Sequence, residues 1–373
     1  MISDGRAGSI PALGTYFWGM RFTRCPFFYV LILGTLPAIG QGQLDRFVNR
    51  PPDTAWRPEV LAYVRNTEFF HPAEEGRTRL GALAGMRRRF EVAPRRSAEL
   101  GGFIHQEFGA QPRLVPWIRL EYRHSKATMA FGSIRDRSHG LPRYLINPDL
   151  RYAVPVVYGL EGSATKNHWI AHYWVEWLKA IDYGSPFKER IHGGVTGGYS
   201  AEWLEVKGVL QYHHVGGQID TSPDSDGNRL NYGAIARVHL GSSWWLRAAQ
   251  LYYADPLASF SPESTGRGTS VEGVWRMSKR LAAEFSYWDG HNFQAPLGQG
   301  LYQSRNPEDL GAWHEKSRQL LGFALAYEGS SSARLRFWYD LGGRGWQPSL
   351  TWVRYLVLDP LEGSKRSRGR VPQ

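Results

Sequence analysis

Apolar and polar residues alternate in one segment after another, and this alternation is the feature that most constrains how the chain folds. In the stretch 167–181, Trp169 and Tyr173 share one face of an extended strand, while His172 and Glu176 share the other. The same period recurs at 117–124, 203–214, 229–240 and 333–340. Tilted membrane strands need about 9–11 residues, so the pattern predicts strands that each have one apolar face.

The links between these segments alternate in length. Short links lie at 125–126, 165–166, 200–201, 241–243, 278–279 and 329–332, and longer ones lie at 135–156, 182–190, 215–228, 255–268 and 290–317. An up-and-down membrane barrel has short turns at one end and long loops at the other, whereas a soluble β-sandwich has no reason to sort its loops in this way. The sequence therefore predicts an all-β fold, a transmembrane antiparallel β-barrel of about 14 strands, or 16 if an N-terminal segment adds two.

The N-terminal residues have the composition of an export signal. Arg21 and Arg24 precede the apolar run 27–36, and small residues follow at a cleavage site. This run is too short to cross a bilayer as a helix. We expect a cleaved signal peptide at 20–40; the alternative is a buried helix of a soluble core.

The expected organisation has five parts. These are a non-native upstream start at 1–19, the signal peptide at 20–40, a lead-in segment at 41–97 that can contribute two strands, the barrel at 98–359 and a basic tail at 360–373. The lone Cys25 lies ahead of the apolar run, whereas a lipoprotein cysteine would follow it, so the exported chain is expected to have neither a lipid anchor nor a disulfide.

The formal net charge of +11 is spread over alternate strand positions. A nucleic-acid-binding protein would need a concentrated basic patch, so no nucleic-acid partner is expected. The sequence also shows no phosphate-binding loop and no zinc-ligand spacing, and we expect no cofactor and no metal.

If the apolar faces contact lipid, the charged faces line the lumen. The predicted pore-lining residues are Arg119, Glu121, Arg123, His172, Glu176, Glu205, Lys207, Arg237, His239, Glu272, Arg276, Arg334, Arg336 and Asp340. The predicted membrane-facing aromatic residues are Trp169, Tyr173, Trp177, Tyr212, Tyr232, Phe337 and Tyr339. A slightly basic lumen favours anions; the alternative is a plugged interior in which these charges pair with one another.

Further aromatic residues cluster near strand ends, where amphipathic side chains settle at the membrane surface. Trp203, Trp244, Trp245, Tyr252, Tyr253, Trp275, Trp288, Trp313 and Tyr327 are predicted to form such girdles; the alternative is an aromatic core. The proline-rich loop 135–155 is predicted to fold inward as a constriction, or else to shield the barrel surface.

One group of histidine and aspartate residues could support catalysis. His213 and His214 end a strand at the predicted outer edge, and Asp220, Asp224 and Asp226 lie in the loop that follows. A His–Asp pair can activate a water molecule, but loops rich in Asp, Ser and Gly are also ordinary turn chemistry. We therefore expect no catalytic residues and no enzyme activity. The alternative is a barrel hydrolase acting on lipid or peptide at the outer rim.

With its export signal, alternating strands and loops sorted by length, the chain resembles the porin-like outer-membrane β-barrels of Gram-negative bacteria over residues 98–359. The resemblance implies passive or facilitated diffusion of small hydrophilic solutes, and as partners outer-membrane lipid, lipopolysaccharide and the barrel-insertion machinery. It leaves the oligomeric state open. A barrel that binds or assembles surface polysaccharide is a further alternative. The chain departs from the family because its last strand is followed by a basic tail.

Overall fold

The computed structural model describes residue 47 and residues 51–68, 74, 76–224, 226–256, 264–304, 315–329, 331–343 and 345–357. The predicted signal peptide, the segment before it and the basic tail lie outside these residues. Among the residues described, no helix combines the length and the apolar character needed to cross a bilayer.

Sixteen strands, numbered β1–β16 in chain order, form one closed antiparallel barrel. They are β1 Arg57–Thr67, β2 Arg77–Ala93, β3 Arg96–Glu107, β4 Arg113–His124, β5 Ala127–Ile134, β6 Val157–Lys166, β7 Trp169–Lys179, β8 Glu189–Ser200, β9 Leu204–Gly216, β10 Gly227–Leu240, β11 Trp244–Ala254, β12 Thr265–Arg276, β13 Leu281–His291, β14 Ser317–Glu328, β15 Ser331–Asp340 and β16 Gly345–Val357. Each strand pairs with its neighbours in sequence, and β16 closes the barrel on β1. The predicted fold class is confirmed, with the larger of the two strand counts.

The two additional strands lie in the predicted lead-in segment. Strand β1 pairs with β16, placing Tyr63 opposite Val353, and with β2, placing Leu61 opposite Leu83. Three consecutive arginines at 87–89 interrupt the apolar–polar alternation of β2, so this strand has a weak signal in the sequence. The pairing shows that β1 and β2 belong to the barrel. Closure gives hydrogen-bond partners to the backbone N–H and C=O groups of β1 and β16, which an open sheet would leave unpaired at its edges.

The links between strands form two groups, one at each end of the barrel, and we call these ends the short-turn rim and the long-loop rim. The short-turn rim carries the links 94–95, 125–126, 167–168, 201–203, 241–243, 277–280 and 329–330. The long-loop rim carries 68–76, 108–112, 135–156, 180–188, 217–226, 255–264, 292–316 and 341–344. In bacterial outer-membrane barrels the short turns face the periplasm and the longer loops face the outside, so the long-loop rim is the outer one.

The two faces of the barrel wall differ in burial as the alternation predicts. Along β4, Trp117, Arg119 and Glu121 are buried inside, while Ile118 and Leu120 are each 53% exposed outside. Large apolar side chains cover the outer face in this way all around the described strands. A continuous apolar outer surface is what contact with hydrocarbon requires.

Loop 135–156 and residues 292–304, the first part of loop 292–316, fold into the barrel and pack there. Loop 135–156 contains a one-turn helix, Leu150–Ala153, and loop 292–316 contains a 3-10 turn, Gly300–Tyr302. The loops meet where the Asn147 N–H donates to the Leu297 carbonyl at 2.5 Å. Their apolar residues form one buried cluster with inward-pointing residues of the wall.

Seven of the 17 residues in this cluster are aromatic. Tyr144 stacks on Trp288 at 5.0 Å between ring centroids, and the Ser270 hydroxyl donates to the Tyr144 oxygen at 2.8 Å. The prediction that Trp288 and Tyr253 belong to a membrane-surface girdle is wrong, because these side chains point inward and are 1% and 3% exposed. Trp313 lies outside the described residues.

Candidate functional site

The outer face of the long-loop rim carries a histidine–asparagine pair between β9 and β10. Even-numbered residues of β9 point outward, so Tyr212 and His214 lie on the surface that extends toward the rim, whereas His213 is buried inside. The register places Asn228 of β10 directly opposite His214. Strand pairing therefore brings together two polar side chains that are 14 residues apart in sequence.

The hydrogen bonds orient the imidazole. Nδ1 of His214 lies 2.7 Å from Oδ1 of Asn228, and the Tyr212 hydroxyl donates to the same oxygen. Because an amide oxygen only accepts, Nδ1 must carry the proton, and Nε2 is left with its lone pair. This tautomer is the one that a general base needs, with the asparagine in the orienting position.

A glycine allows the basic edge of the ring to sit close to the backbone. Nε2 of His214 lies 2.7 Å from the position that a Cβ atom on Gly216 would occupy, and Oδ1 of Asp226 lies 3.7 Å from the same point. Any larger residue at Gly216 would displace the ring. Asp226 is therefore the predicted loop aspartate that the structure places beside His214.

An ion-pair bridge secures the loops around this pair. Nζ of Lys188 lies 3.2 Å from Oδ1 of Asp220 and 3.2 Å from Oδ1 of Asp226. Hydrogen bonds to Asp226 and Asp220 raise the pKa of Lys188 above its usual value. Although desolvation acts in the opposite direction, the hydrogen bond from Lys188 lowers the pKa of Asp220.

Backbone bonds join the same two loops. The Gly184 N–H donates to the Ile219 carbonyl at 2.7 Å, and the Thr221 N–H donates to the Ser185 carbonyl at 2.8 Å. Together with Lys188 they place loop 217–226 against loop 180–188. We define the outer-rim site as Lys188, Tyr212, His214, Gly216, Asp220, Asp226 and Asn228.

Sequence reasoning found part of this site. It singled out His214, Asp220 and Asp226, but also His213, which faces the interior, and Asp224, whose backbone N–H bonds Ser222 Oγ at 3.2 Å. It missed Asn228 and Lys188, because no local pattern reveals which residue of the next strand lies opposite His214. The polar outward position of Asn228, at the start of an otherwise apolar outer face, was the available indication.

The predicted pore-lining residues fall into three groups by exposure. Arg119, Glu121, Glu176, Arg336 and Asp340 are buried; His172, Glu205, Lys207, Arg237, Glu272 and Arg334 are half-buried; Arg123, His239 and Arg276 are exposed. Many of them pair: Arg119 with Glu121 at 3.1 Å, Lys207 with Glu205 at 3.1 Å and Arg334 with Glu284 at 2.8 Å. Their role in permeation stays a prediction.

The predicted membrane-facing aromatic residues are the other set that the sequence proposed. Trp169, Tyr173, Trp177, Tyr212 and Tyr232 are exposed, and Phe337 and Tyr339 are half-buried. Contact of these seven side chains with lipid stays a prediction. Tyr212 has a second role, since its hydroxyl joins the outer-rim site.

Comparison with solved structures supports the fold. A loop-deletion mutant of OmpT, an outer membrane protein of Vibrio cholerae, has a TM-score of 0.51 at 10% identity, covering 81% of this chain and 98% of that one. A mutant of the Rh. blastica porin has a TM-score of 0.47 at 8% identity, covering 81% of this chain and 99% of that one. The chain is an outer-membrane β-barrel protein, and the similarity to OmpT concerns its fold alone. A search of curated proteins finds no match.

The family comparison concerns function. The model of a family described as Lipid A 3'-O-deacylase-type matches residues 55–359, which include all the described strands up to β16. The expectation that this chain has no enzyme activity is therefore wrong, because the matching family is named for an enzymatic reaction. Sequence reasoning erred by giving more weight to the charged strand faces than to the polar residues at the outer rim.

Proposed function

Because this chain belongs to the Lipid A 3'-O-deacylase-type family, we propose that it is an outer-membrane hydrolase that removes an ester-linked acyl chain from lipid A. The hydrogen bond from His214 Nδ1 to Asn228 Oδ1 carries this proposal. A lipid ester in the outer leaflet reaches the barrel from the side, near the headgroup level. The pair lies on the outward face, at the outer end of β9 and β10, where such an ester would arrive.

The orientation of His214 defines its chemical role. Its Nε2 lone pair accepts a proton from a water molecule, and the water oxygen attacks the ester carbonyl carbon. The tetrahedral intermediate then collapses with cleavage of the bond between the acyl carbon and the 3' oxygen. The imidazolium returns its proton to that oxygen, so the products are a free fatty acid and a hydroxyl group.

Asn228 acts as a positioning residue, because it holds the tautomer and the plane of the ring. The Tyr212 hydroxyl fixes Asn228 in turn, and the Tyr212 and His214 rings are nearly parallel, 13° apart. A base held by neighbouring groups loses little orientational freedom in the transition state. Lys188 contributes by holding loop 217–226 beside the ring.

Passive diffusion of solutes, the function that the porin resemblance implies, receives less support. Loop 135–156 and residues 292–304 place aromatic side chains in the interior, and the charged wall residues form ion pairs there. A wide aqueous channel needs this space. The arrangement favours the plugged interior that the sequence left as an alternative.

Purified protein, refolded in detergent and mixed with lipid A, provides the test. Mass spectrometry should show lipid A losing one acyl chain, with release of one fatty acid per molecule. Replacing His214 by Ala should lower the rate about 10²- to 10⁴-fold, the usual contribution of a general base. Asn228→Ala should lower kcat with a smaller effect on KM, because Asn228 orients the base.

His291→Ala is the matched control. His291 lies at the same rim at the end of β13, and its Nδ1 is 3.1 Å from Ser317 Oγ. This variant should keep the wild-type rate. Heat-dependent mobility on a denaturing gel verifies that each variant is folded. Full activity in a folded His214→Ala variant would remove the outer-rim site from the mechanism, and a wild-type protein that releases no fatty acid would refute the proposed function.

A further inference from the structure

A second histidine cluster lies inside the barrel, where loop 135–156 meets β6 and β7. His139 enters the lumen from this loop with a left-handed backbone, φ +50°. A non-glycine residue with positive φ is uncommon and needs support from its surroundings. The side chain of His139 is fully buried, and its contacts provide that support.

Two contacts fix the orientation of the His139 ring. It stacks on Trp174 at 4.2 Å between centroids with an 8° angle, and its Nε2 lies 2.8 Å from Oε1 of Glu176. A carboxylate accepts, so Nε2 carries the proton and Nδ1 carries the lone pair. Nδ1 is buried, and no hydrogen-bond partner for it occurs within the described part of the chain. Leaving such a buried acceptor unsatisfied is destabilising.

Glu161 and His172 are the other two possible metal ligands near His139. One ligand atom from each of His139, Glu161 and His172 lies within 4.8 Å of the others. Oε1 of Glu161 bonds Arg119, which leaves Oε2 on the side of His172, 3.9 Å from its Nε2. Thus two imidazole nitrogens and one carboxylate oxygen lie close enough together to share one ion after a small adjustment.

We propose that His139, Glu161 and His172 form a binding site for a divalent transition-metal ion, with Zn²⁺ the best fit. Two histidines and one carboxylate are a recognised three-residue zinc set, whereas Ca²⁺ and Mg²⁺ prefer oxygen ligands alone. Bond lengths near 2.0–2.1 Å place tetrahedral ligand atoms about 3.3 Å apart. The ligand atoms are up to 4.8 Å apart, and a small inward movement of the half-buried His172 would bring them to the tetrahedral spacing.

The surroundings match the site in two respects. Glu176 bonds the outer nitrogen of His139, as carboxylates commonly do behind zinc-bound histidines. A cavity of about 360 Å³, which Arg119 and Arg135 also line, borders Glu161 and His172 and can hold solvent beside these two side chains. The ion would tie loop 135–156 to the barrel wall. This site is separate from the outer-rim site, and the proposal does not depend on lipid A hydrolysis.

Cobalt provides a direct probe. Purified, folded protein is stripped with a chelator and titrated with Co²⁺, whose visible absorption reports coordination by nitrogen and oxygen ligands. We expect saturation at one equivalent, displacement by Zn²⁺, and a rise in the temperature at which the folded form is lost on a denaturing gel. Glu176→Gln should weaken Zn²⁺ binding about 10- to 100-fold, as loss of a supporting hydrogen bond does.

Ligand variants decide the outcome. His172→Ala, which alters a half-buried residue and is expected to fold, should abolish the cobalt spectrum, and His139→Ala should do the same. His239→Ala, an exposed histidine of β10, is the control and should bind as the wild type does. An unchanged spectrum in folded His172→Ala, or no cobalt binding by the wild type, would overturn the site. An equal loss of binding in the control would show that binding does not depend specifically on the three proposed ligands and would equally refute the site.

Discussion

Replacing Trp288 by Ala tests whether the two inward loops are integral to the folded barrel. Trp288 is 1% exposed, and its ring lies 5.0 Å from Tyr144, 5.0 Å from Phe293 and 5.4 Å from Tyr302, all contributed by those loops. Truncating a buried tryptophan costs about 3–5 kcal/mol. With a urea dependence on the order of 3 kcal/mol per molar, the midpoint of unfolding should fall by about 1–1.7 M.

The assay follows unfolding in detergent micelles through the gel mobility of the folded form. Trp203→Ala is the matched control, because Trp203 lies in a short turn and is 62% exposed; its cost should stay below about 1 kcal/mol. Limited proteolysis should also cleave loop 135–156 faster in Trp288→Ala than in the control. Equal midpoints for the two variants would mean that the loops do not pack on Trp288, and the account of a filled interior would be wrong.

Three further predictions follow from the same contacts. In planar bilayers the intact protein should show no steady conductance, since side chains fill the lumen; large, stable steps would restore the channel interpretation. Arg87→Met should destabilise the barrel by about 3–5 kcal/mol, because it removes the guanidinium that lies 3.0 Å from the buried carboxylate of Glu59. The double variant with Glu59→Gln should recover part of the loss in urea unfolding, and no recovery would contradict the pairing. The pKa of Asp220 is lowered when folded, so its bond to Lys188 stabilises the loop above the usual pKa of 3.8 and is lost as the pH falls through the lower folded value. The amide protection factors of loop 217–226, which correct for the slower intrinsic exchange in acid, should fall on acidification in the wild type and be low already at neutral pH in Lys188→Met.

Local pattern was sufficient for the architecture. Side chains alternate across a strand whatever it pairs with, so the outward positions of Trp169 and Tyr232 and the inward positions of Arg119 and Glu176 followed from sequence alone. Because short and long links alternate along the chain, the sequence predicted a barrel with an even number of antiparallel strands. The two strands in the lead-in segment remained an alternative because arginines 87–89 obscure the period of β2.

Function was harder to infer because a barrel pattern serves many activities. His214 was visible as a polar residue at the end of an apolar outer face. Its partner Asn228 was not, since the register across loop 217–226 determines which residue stands opposite. A shift of one residue would turn the Asn228 side chain inward.

The sequence by itself determined the class of fold, the two faces of each strand and the outer rim at which polar residues collect, because these depend on a period of two and on the lengths of links. Only the tertiary structure decided what fills the interior and which side chains meet. Loop 135–156 places His139 against Glu176 and fills the lumen beside Trp288. Such contacts join residues far apart in the chain, and they form only when sixteen paired strands close and leave an enclosed space to be packed.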